Sequence, residues 1–434
     1  MQAMKVAVVG GGLGGLTAAA LLARGGCEVT LYERSKSLGG RARTTEVEGF
    51  RFNLGPHALY RAGAALRVLG RLGVKPQGGV PVGTGSHALR AGRLHTLPRG
   101  PVTLMTTDVL SLAGKLEVAK LLAGLARIDT GPLGPLSTRA WLETRLARRD
   151  SQALIAALVR VATYCADLEA LSAEAAVRQL QAATAANVLY VDGGWSTLVD
   201  AVEQLGREAG VRLELSTRVE SVVLQEGSTK VEGVRLADGT VRGADAVVLA
   251  GSPADVAALV PGDAALAREA REAVPIHAAT LELGLSELPR PDAFFALGVD
   301  GPWYASVHSA SAKLAPEGGA MVHVAKYLGG ADTECRESEL EAVMDALQPG
   351  WRAKLVARRF RPSLTVSAGL PQAAKGGLAG RPAVEVPHLG GLYRVGDWVG
   401  AEGMLADASL ASAEAVEHAL LQRIATPQRR VAGA

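Results

Sequence analysis

Hydrophobic and polar positions change period several times along the chain, and each change marks an element. Lys5 to Val9 is a short apolar run, a glycine-rich turn follows, and Leu13 to Arg24 place apolar residues at helical spacing before a second strand-like run, Glu28 to Glu33. That order is the opening half of a βαβ unit. Residues 109–128 and 137–181 carry apolar positions at helical spacing with Lys, Arg and Glu between them, which predicts a mainly helical middle section forming its own layer. From Val211 to Ala250 short alternating runs return (VRLEL, SVVLQ, KVEGVRLADG, DAVVLAG), with Asp238-Gly239 as a hairpin turn signal. A mixed stretch, 276–384, holds strand-like HAATLELGL and AMVHVAKYL. Leu392 to Val395 then leads into Gly396-Asp397 and a terminal helix from about Leu405 to Ile424, and the basic tail after Thr426 is expected to fray.

Composition narrows the class. At about 150 residues per domain, 434 residues predict two or three structural units. With 48% apolar and 21% charged residues, the chain is a globular α/β protein and not a disordered or collagen-like one. The 46 Lys+Arg and 43 Asp+Glu leave only +3, scattered, so no nucleic-acid partner is expected. Cys27, Cys165 and Cys335 lie far apart without C-x-x-C or a His/Cys cluster, which predicts neither a disulfide framework nor a metal site and fits a cytoplasmic location. Met4-Lys5 passes at once into a strand-like run, unlike a signal peptide. The uncharged run Val6 to Ala23 contains a cluster of glycines between Gly10 and Gly15, so it reads as a turn and not as a membrane span.

Candidate chemistry begins at that turn. Gly10, Gly12 and Gly15 form G-x-G-x-x-G around Leu13 and Gly14, after a strand and opening a helix. Glycines there allow a tight turn, close approach of backbone N–H groups to a pyrophosphate, and close helix–strand packing. Glu33, with Arg34 beside it, ends the second strand, where a carboxylate can accept both hydroxyls of an adenosine ribose. This context predicts a dinucleotide site.

The residues that follow, Leu38-Gly39-Gly40-Arg41 and Phe52-Asn53-Leu54-Gly55-Pro56-His57, resemble the amine oxidase, protoporphyrinogen oxidase and phytoene desaturase superfamily of FAD enzymes. The resemblance continues through Gly193-Gly194 before a helix, the strand at Val219 and Gly396-Asp397-Trp398, and so covers the chain. It implies that Gly40 and Arg41 lie near the pyrophosphate, that Gly55, Pro56 and His57 lie near the isoalloxazine, and that Val219 contacts adenine through its backbone. It further implies that Asp397 holds ribityl or phosphate oxygens and that Gly403-Met404-Leu405 present N–H groups to the pyrimidine edge. The implied fold is a Rossmann-type, GR2-like FAD-binding domain (1–85, 190–270 and 385–434) interleaved with an α+β substrate domain (86–189 and 271–384), helical over about 105–185.

The implied activity is that of an FAD-dependent oxidoreductase removing hydride from an apolar organic substrate, as a desaturase or protoporphyrinogen-type oxidase does, with O2 or another acceptor reoxidising the flavin. The sequence departs from the amine oxidases. Val399-Gly400-Ala401-Glu402-Gly403 lacks the Tyr or Phe of their aromatic cage, and their lysine has no counterpart, although His277 falls in the comparable region. An amine oxidase with an atypical pocket and a non-redox isomerase or mutase remain the alternatives. Cys335, 62 residues before Asp397, is the cysteine nearest the G-D turn, so FAD is expected to be non-covalent. Asn53 stands where the family has an acidic residue.

His57 is the leading candidate for proton transfer, because imidazole exchanges protons near neutral pH, and Tyr60 is a second candidate at the same entrance. Trp398, Glu402, Tyr304, His308 and His323 are weaker candidates, each expected more often in packing than in chemistry. Residues 97–128 resemble the family's lead into a membrane-facing substrate domain. The amphipathic 109–128 stripe is more often packed on its own protein, with peripheral membrane contact as the alternative.

Overall fold

The computed structural model describes residues 3–425, so the basic tail after Thr426 lies outside the described residues. The chain is an α/β protein built around two sheets. The first is parallel, in the order Arg212–Glu214, Glu28–Tyr32, Lys5–Val9, Ala246–Leu249 and Leu392–Arg394. Alternation gives it two apolar faces. Val6, Val8, Val29, Leu31 and Val248 pack against the helices Leu13–Arg24, Ser196–Glu208 and Leu405–Ala425. Ala7, Val247 and Leu249 face a three-stranded antiparallel sheet, Val219–Leu224, Val231–Leu236 and Val241–Gly243. The Asp238-Gly239 turn joins the last two strands, with Gly239 at φ +84°.

The second sheet has seven strands, in the order Leu355–Ser367, Ile276–Leu285, Ala320–Leu328, Trp303–Val307, Phe295–Gly298, Ser86–Arg90 and Arg93–Thr96. Its pairs are antiparallel except Phe295–Gly298 with Ser86–Arg90. Ala279, Leu281, Leu283, Val322 and Val324 turn toward the helix Glu337–Leu347. The opposite face holds Tyr304, Ala325 and Tyr327 against the helical layer. Ala278, Thr280 and Glu282 share that side by the two-residue period of the strand.

The middle section is mainly helical, in several separate helices. A short helix, Pro101–Thr106, precedes the 109–128 candidate, and within that candidate the helix runs over Leu112–Gly124, which Ser111 caps by accepting the Gly114 N–H. The stretch 137–181 is mainly helical, as its spacing predicts, and is divided into three helices, Thr138–Arg145, Arg149–Thr163 and Ala173–Ala186. The breaks follow local chemistry. Tyr164 is left-handed at φ +60° and ends one helix, and Ser172 accepts the Glu174 N–H to start the next.

Candidate functional site

The sequence motifs meet in one cleft of about 890 Å³ running from the glycine turn to the second sheet. Gly10 sits at φ +110°, where a Cβ would lie 2.3 Å from the Ala250 carbonyl oxygen, and a Cβ at Gly15 would lie 2.2 Å from the Gly10 carbonyl oxygen. Both positions therefore require glycine. At Gly12 a Cβ would meet no atom within 4 Å, which leaves room for a ligand against the backbone. The first helix has no side-chain cap and no acidic residue in its first turn, so its N–H groups are available to an anion. This end of the cleft fits a phosphate-bearing nucleotide.

Gly10, Gly12, Leu13, Gly14, Gly15, Glu33, Arg34, Gly40, Arg41, Pro56, His57, Tyr60, Val219, Gly396, Asp397, Met404 and Leu405 all line the cleft. Two expected contacts do not. Gly55 faces the second sheet, where a Cβ would come within 2.9 Å of a Leu364 methyl carbon. Gly403 packs on Asp407, with its carbonyl bonded to Arg381 Nη2 at 2.8 Å. In both, glycine serves close packing behind the wall.

Glu33 has a double role. Its two carboxylate oxygens accept N–H groups from Gly11 (2.7 Å) and Ser35 (2.8 Å), which fixes the glycine turn, and a carboxylate has further lone pairs for ligand hydroxyls. Arg41 Nη1 donates to the Val366 carbonyl and pairs with Asp397 at 2.7 Å, and this carboxylate also accepts the Ala368 N–H. The neutral Asn53 holds the turn after Gly193-Gly194, because its Oδ1 accepts from Thr44 Oγ1 (2.7 Å) and from the Trp195 N–H (3.0 Å).

His57 is half-buried and packs edge-on to Trp195, with centroids 4.8 Å apart. Its Nδ1 lies 3.0 Å from the Gly55 carbonyl oxygen, which can only accept, so Nδ1 carries the proton of the neutral ring and Nε2 keeps a lone pair. Burial pushes the imidazole below its usual 6.5, and His323 adds to this, while the Gly55 and Arg41 carbonyls and Glu282 oppose it. The ring is therefore neutral at pH 7. Tyr60 offers its ring and not its hydroxyl, which donates to the Ala162 carbonyl at 2.8 Å and is held protonated by burial.

The weaker candidates lie elsewhere. Trp398 packs inward with Nε1 donating to Gly251, Glu402 pairs with Arg67 on the surface, and His277 is bonded to Thr365 outside the lining. Tyr304, His308 and His323 are fully buried behind it. Sequence reasoning missed Tyr164, Trp195, Ala278, Thr280, Leu364, Val366 and Asp407, all of which line the cleft. Strand alternation does pair Ala278 with Thr280, and the GGW turn flags Trp195.

Against this geometry, a family model described as flavin containing amine oxidoreductase matches residues 13–403. The chain belongs to the flavin-containing amine oxidoreductase family. Its cofactor is therefore a flavin, and the fit of the cleft to a nucleotide agrees. The chain is 59% identical over 51 residues to a carotenoid 3,4-desaturase of Haloarcula japonica, covering 12% of this chain and 10% of the relative. It is 26% identical over 253 residues to a 4,4'-diaponeurosporene oxygenase of Staphylococcus aureus, covering 51% and 50%. The matches thus span half or less of these relatives. An oxidoreductase from Methanosarcina mazei shares the fold with a TM-score of 0.75 at 20% identity, over 96% of this chain and 100% of that one.

The wall residues can be tested directly. Asp397→Ala leaves Arg41 unpaired and removes a charged acceptor, so flavin retention should weaken by roughly 1.5–3 kcal/mol. Flavin absorbance per chain after gel filtration reads this, and unchanged content would refute the placement. Asp407 is 5% exposed, and its Oδ1 accepts the Ala65 N–H at 2.8 Å. Burial, aided by Glu402, raises its carboxyl from 3.8 to about 6, against the Ala65 N–H and Arg67. An acid raised on folding contributes stability below its unfolded pKa and loses it as pH rises through the folded value. Asp407→Asn keeps the acceptor without the titration. Relative to wild type it should therefore gain about 1 kcal/mol or more in urea unfolding between roughly pH 4.5 and 7.5. A constant difference would contradict this.

Proposed function

We propose that the chain binds FAD non-covalently along the cleft and oxidises an apolar organic substrate by removing hydride, as a desaturase or protoporphyrinogen-type oxidase does, with O2 or another acceptor taking the electrons onward. The observation that carries this reading is the change of character along one continuous cleft. Glycine backbone, Glu33 and Arg34 line one part, and the rings of His57, Tyr60, Tyr164 and Trp195 with the aliphatic Ala278, Leu364 and Val366 line the other. The segments shared with a carotenoid 3,4-desaturase and a 4,4'-diaponeurosporene oxygenase support an apolar substrate. Non-covalent binding is supported by the cysteines: among the described residues none lines the cleft, and burial pushes Cys165 up to about 12 and Cys335 to about 11.

The bound flavin supplies a two-electron acceptor. Glu33 would take the ribose hydroxyls with lone pairs that Gly11 and Ser35 leave free, and Arg41, neutralised on one side by Asp397, would offer its other N–H groups to phosphate oxygens. Tyr60 and Tyr164 exclude water with their rings, since both hydroxyls are tied to backbone carbonyls, at Ala162 and Pro56. His57 Nε2 accepts the proton that leaves the carbon next to the hydride donor. Hydride and proton are the two hydrogens a desaturation removes.

The test is anaerobic bleaching of the flavin band by polyene precursors, a porphyrinogen and amines in turn. A C–C substrate should bleach it and amines should not, and His57→Ala should slow bleaching by about 100-fold or more with flavin content unchanged. Bleaching by an amine alone would overturn the reading.

We also propose peripheral membrane contact through the outer face of the first helical segments. Val102, Met105, Leu112 and Leu116 are 66–76% exposed there, and Val118 and Leu125 are buried beneath. Among the described residues no helix is long and apolar enough to cross a membrane. Wild-type protein should float with phosphatidylglycerol-containing vesicles, and the double variant Leu112→Ser, Leu116→Ser should not; wild type left at the bottom of the gradient would refute the contact.

A further inference from the structure

The second sheet carries a charged residue where its neighbours line the cleft. Ala278 and Thr280 belong to the cleft wall, and two residues on, along the same strand and face, stands Glu282, fully buried. A carboxylate withdrawn from water costs several kcal/mol unless closely compensated. Here its Oε2 accepts from Arg359 Nε at 2.6 Å and Arg361 Nη1 at 2.7 Å, and its Oε1 accepts the Gly55 N–H at 3.1 Å, with His323 Nδ1 at 3.5 Å. Arg359 also donates to the Asn53 carbonyl and to Thr45 Oγ1, and its guanidinium lies over the Phe52 ring. The Phe52–Gly55 segment is thus gripped from the second sheet by one ion cluster.

That grip leads to His57. Gly55 gives its N–H to Glu282 and its carbonyl to His57 Nδ1. The loop lies so close to the sheet that a Cβ at Gly55 would meet Leu364 at 2.9 Å and Thr280 at 3.3 Å.

We infer that Glu282 is a positioning residue for His57: by fixing Gly55 it holds the Nδ1–H in place and turns the Nε2 lone pair toward the substrate. The inference rests on the reading of His57 as proton acceptor. Glu282 does not touch the substrate; it acts through Gly55. The charged and titratable groups around the pair are Arg359 and Arg361 on one neighbouring strand, His323 on the other, and His308 beyond it, its ring 4.3 Å from that of His323. Among them Glu282 alone is negative and favours a charged imidazole.

The test uses the flavin-loaded enzyme and the isosteric Glu282→Gln. Its flavin content should equal that of wild type, and bleaching by the substrate found in the screen should slow by about tenfold or more as the ring loses its fixed orientation. With the negative charge gone and two arginines left, the His57 titration, read by NMR of ring-labelled histidine and assigned by comparison with His57→Asn, should move to lower pH by roughly half a unit or more. The acidic limb of the bleaching profile should move with it. A role confined to stability would lower the melting temperature and leave both unmoved, and that outcome overturns the inference. Should Glu282→Gln not fold, Arg361→Met keeps the carboxylate and should move the His57 titration upward; no movement there overturns the inference too. Normal bleaching by His57→Asn would instead defeat the proton-acceptor reading, and the NMR titration would still report on the coupling.

Discussion

Arg41 and Asp397 are 356 residues apart in sequence and 2.7 Å apart in space. The rest of the site depends on that contact. Arg41 belongs to the turn that pairs with the glycine loop, where the Gly39 N–H bonds to the Gly11 carbonyl at 2.7 Å, and Asp397 begins the approach to the last long helix. Asp397 is 4% exposed, so removing Arg41 would leave a buried carboxylate without its directly paired charge, supported among the described residues only by the Ala368 N–H and the neighbouring Arg381. The same guanidinium reaches the Val366 carbonyl on the second sheet. One ion pair therefore joins the first turn, the final turn and the opposite wall, which brings nucleotide-type and substrate-type residues into a single cleft.

The two sheets contribute in different ways. The parallel sheet is apolar on both faces and offers its strand ends, which is where open α/β sheets hold ligands. The antiparallel sheet offers a face. Its small and aliphatic Ala278, Leu364 and Val366 form wall, while the ion cluster of Glu282, Arg359 and Arg361 secures the loop from Asn53 to His57. Anchoring on a strand within a sheet gives that loop a more exact geometry than a free turn could have.

Much of this is legible in the sequence because it is local. The strand Lys5–Val9, the helix Leu13–Arg24 and the strands over 277–285 and 320–328 follow from period and turn chemistry, and the structure has them at or near those bounds. The glycine turn with Glu33 is legible because its physics lies within 30 residues or so of chain. What escapes a reading of the sequence depends on long-range packing. Alternation puts Ala278 and Thr280 on one face and cannot say that this face borders the cleft. Asp407 looks like an ordinary acidic residue in a helix's first turn, and only the fold brings it to the start of the helix Ala64–Leu72 to accept the Ala65 N–H. Gly55 and Gly403 look like ligand contacts because glycines in such turns commonly are, whereas here they sit behind the lining and leave room for the wall residues Leu364 and Asp407 to pack against them.

These contacts line one cleft that fits a flavin nucleotide from the glycine turn to the entry of the last helix, and the cofactor proposed for it is FAD held without a covalent bond. The direct measurement is to denature the purified holoprotein with acid, remove the polypeptide and identify the flavin in the supernatant by chromatography. FAD, one per chain, is expected there, with no flavin absorbance in the precipitate. FMN in the supernatant, or flavin precipitating with the polypeptide, would contradict it.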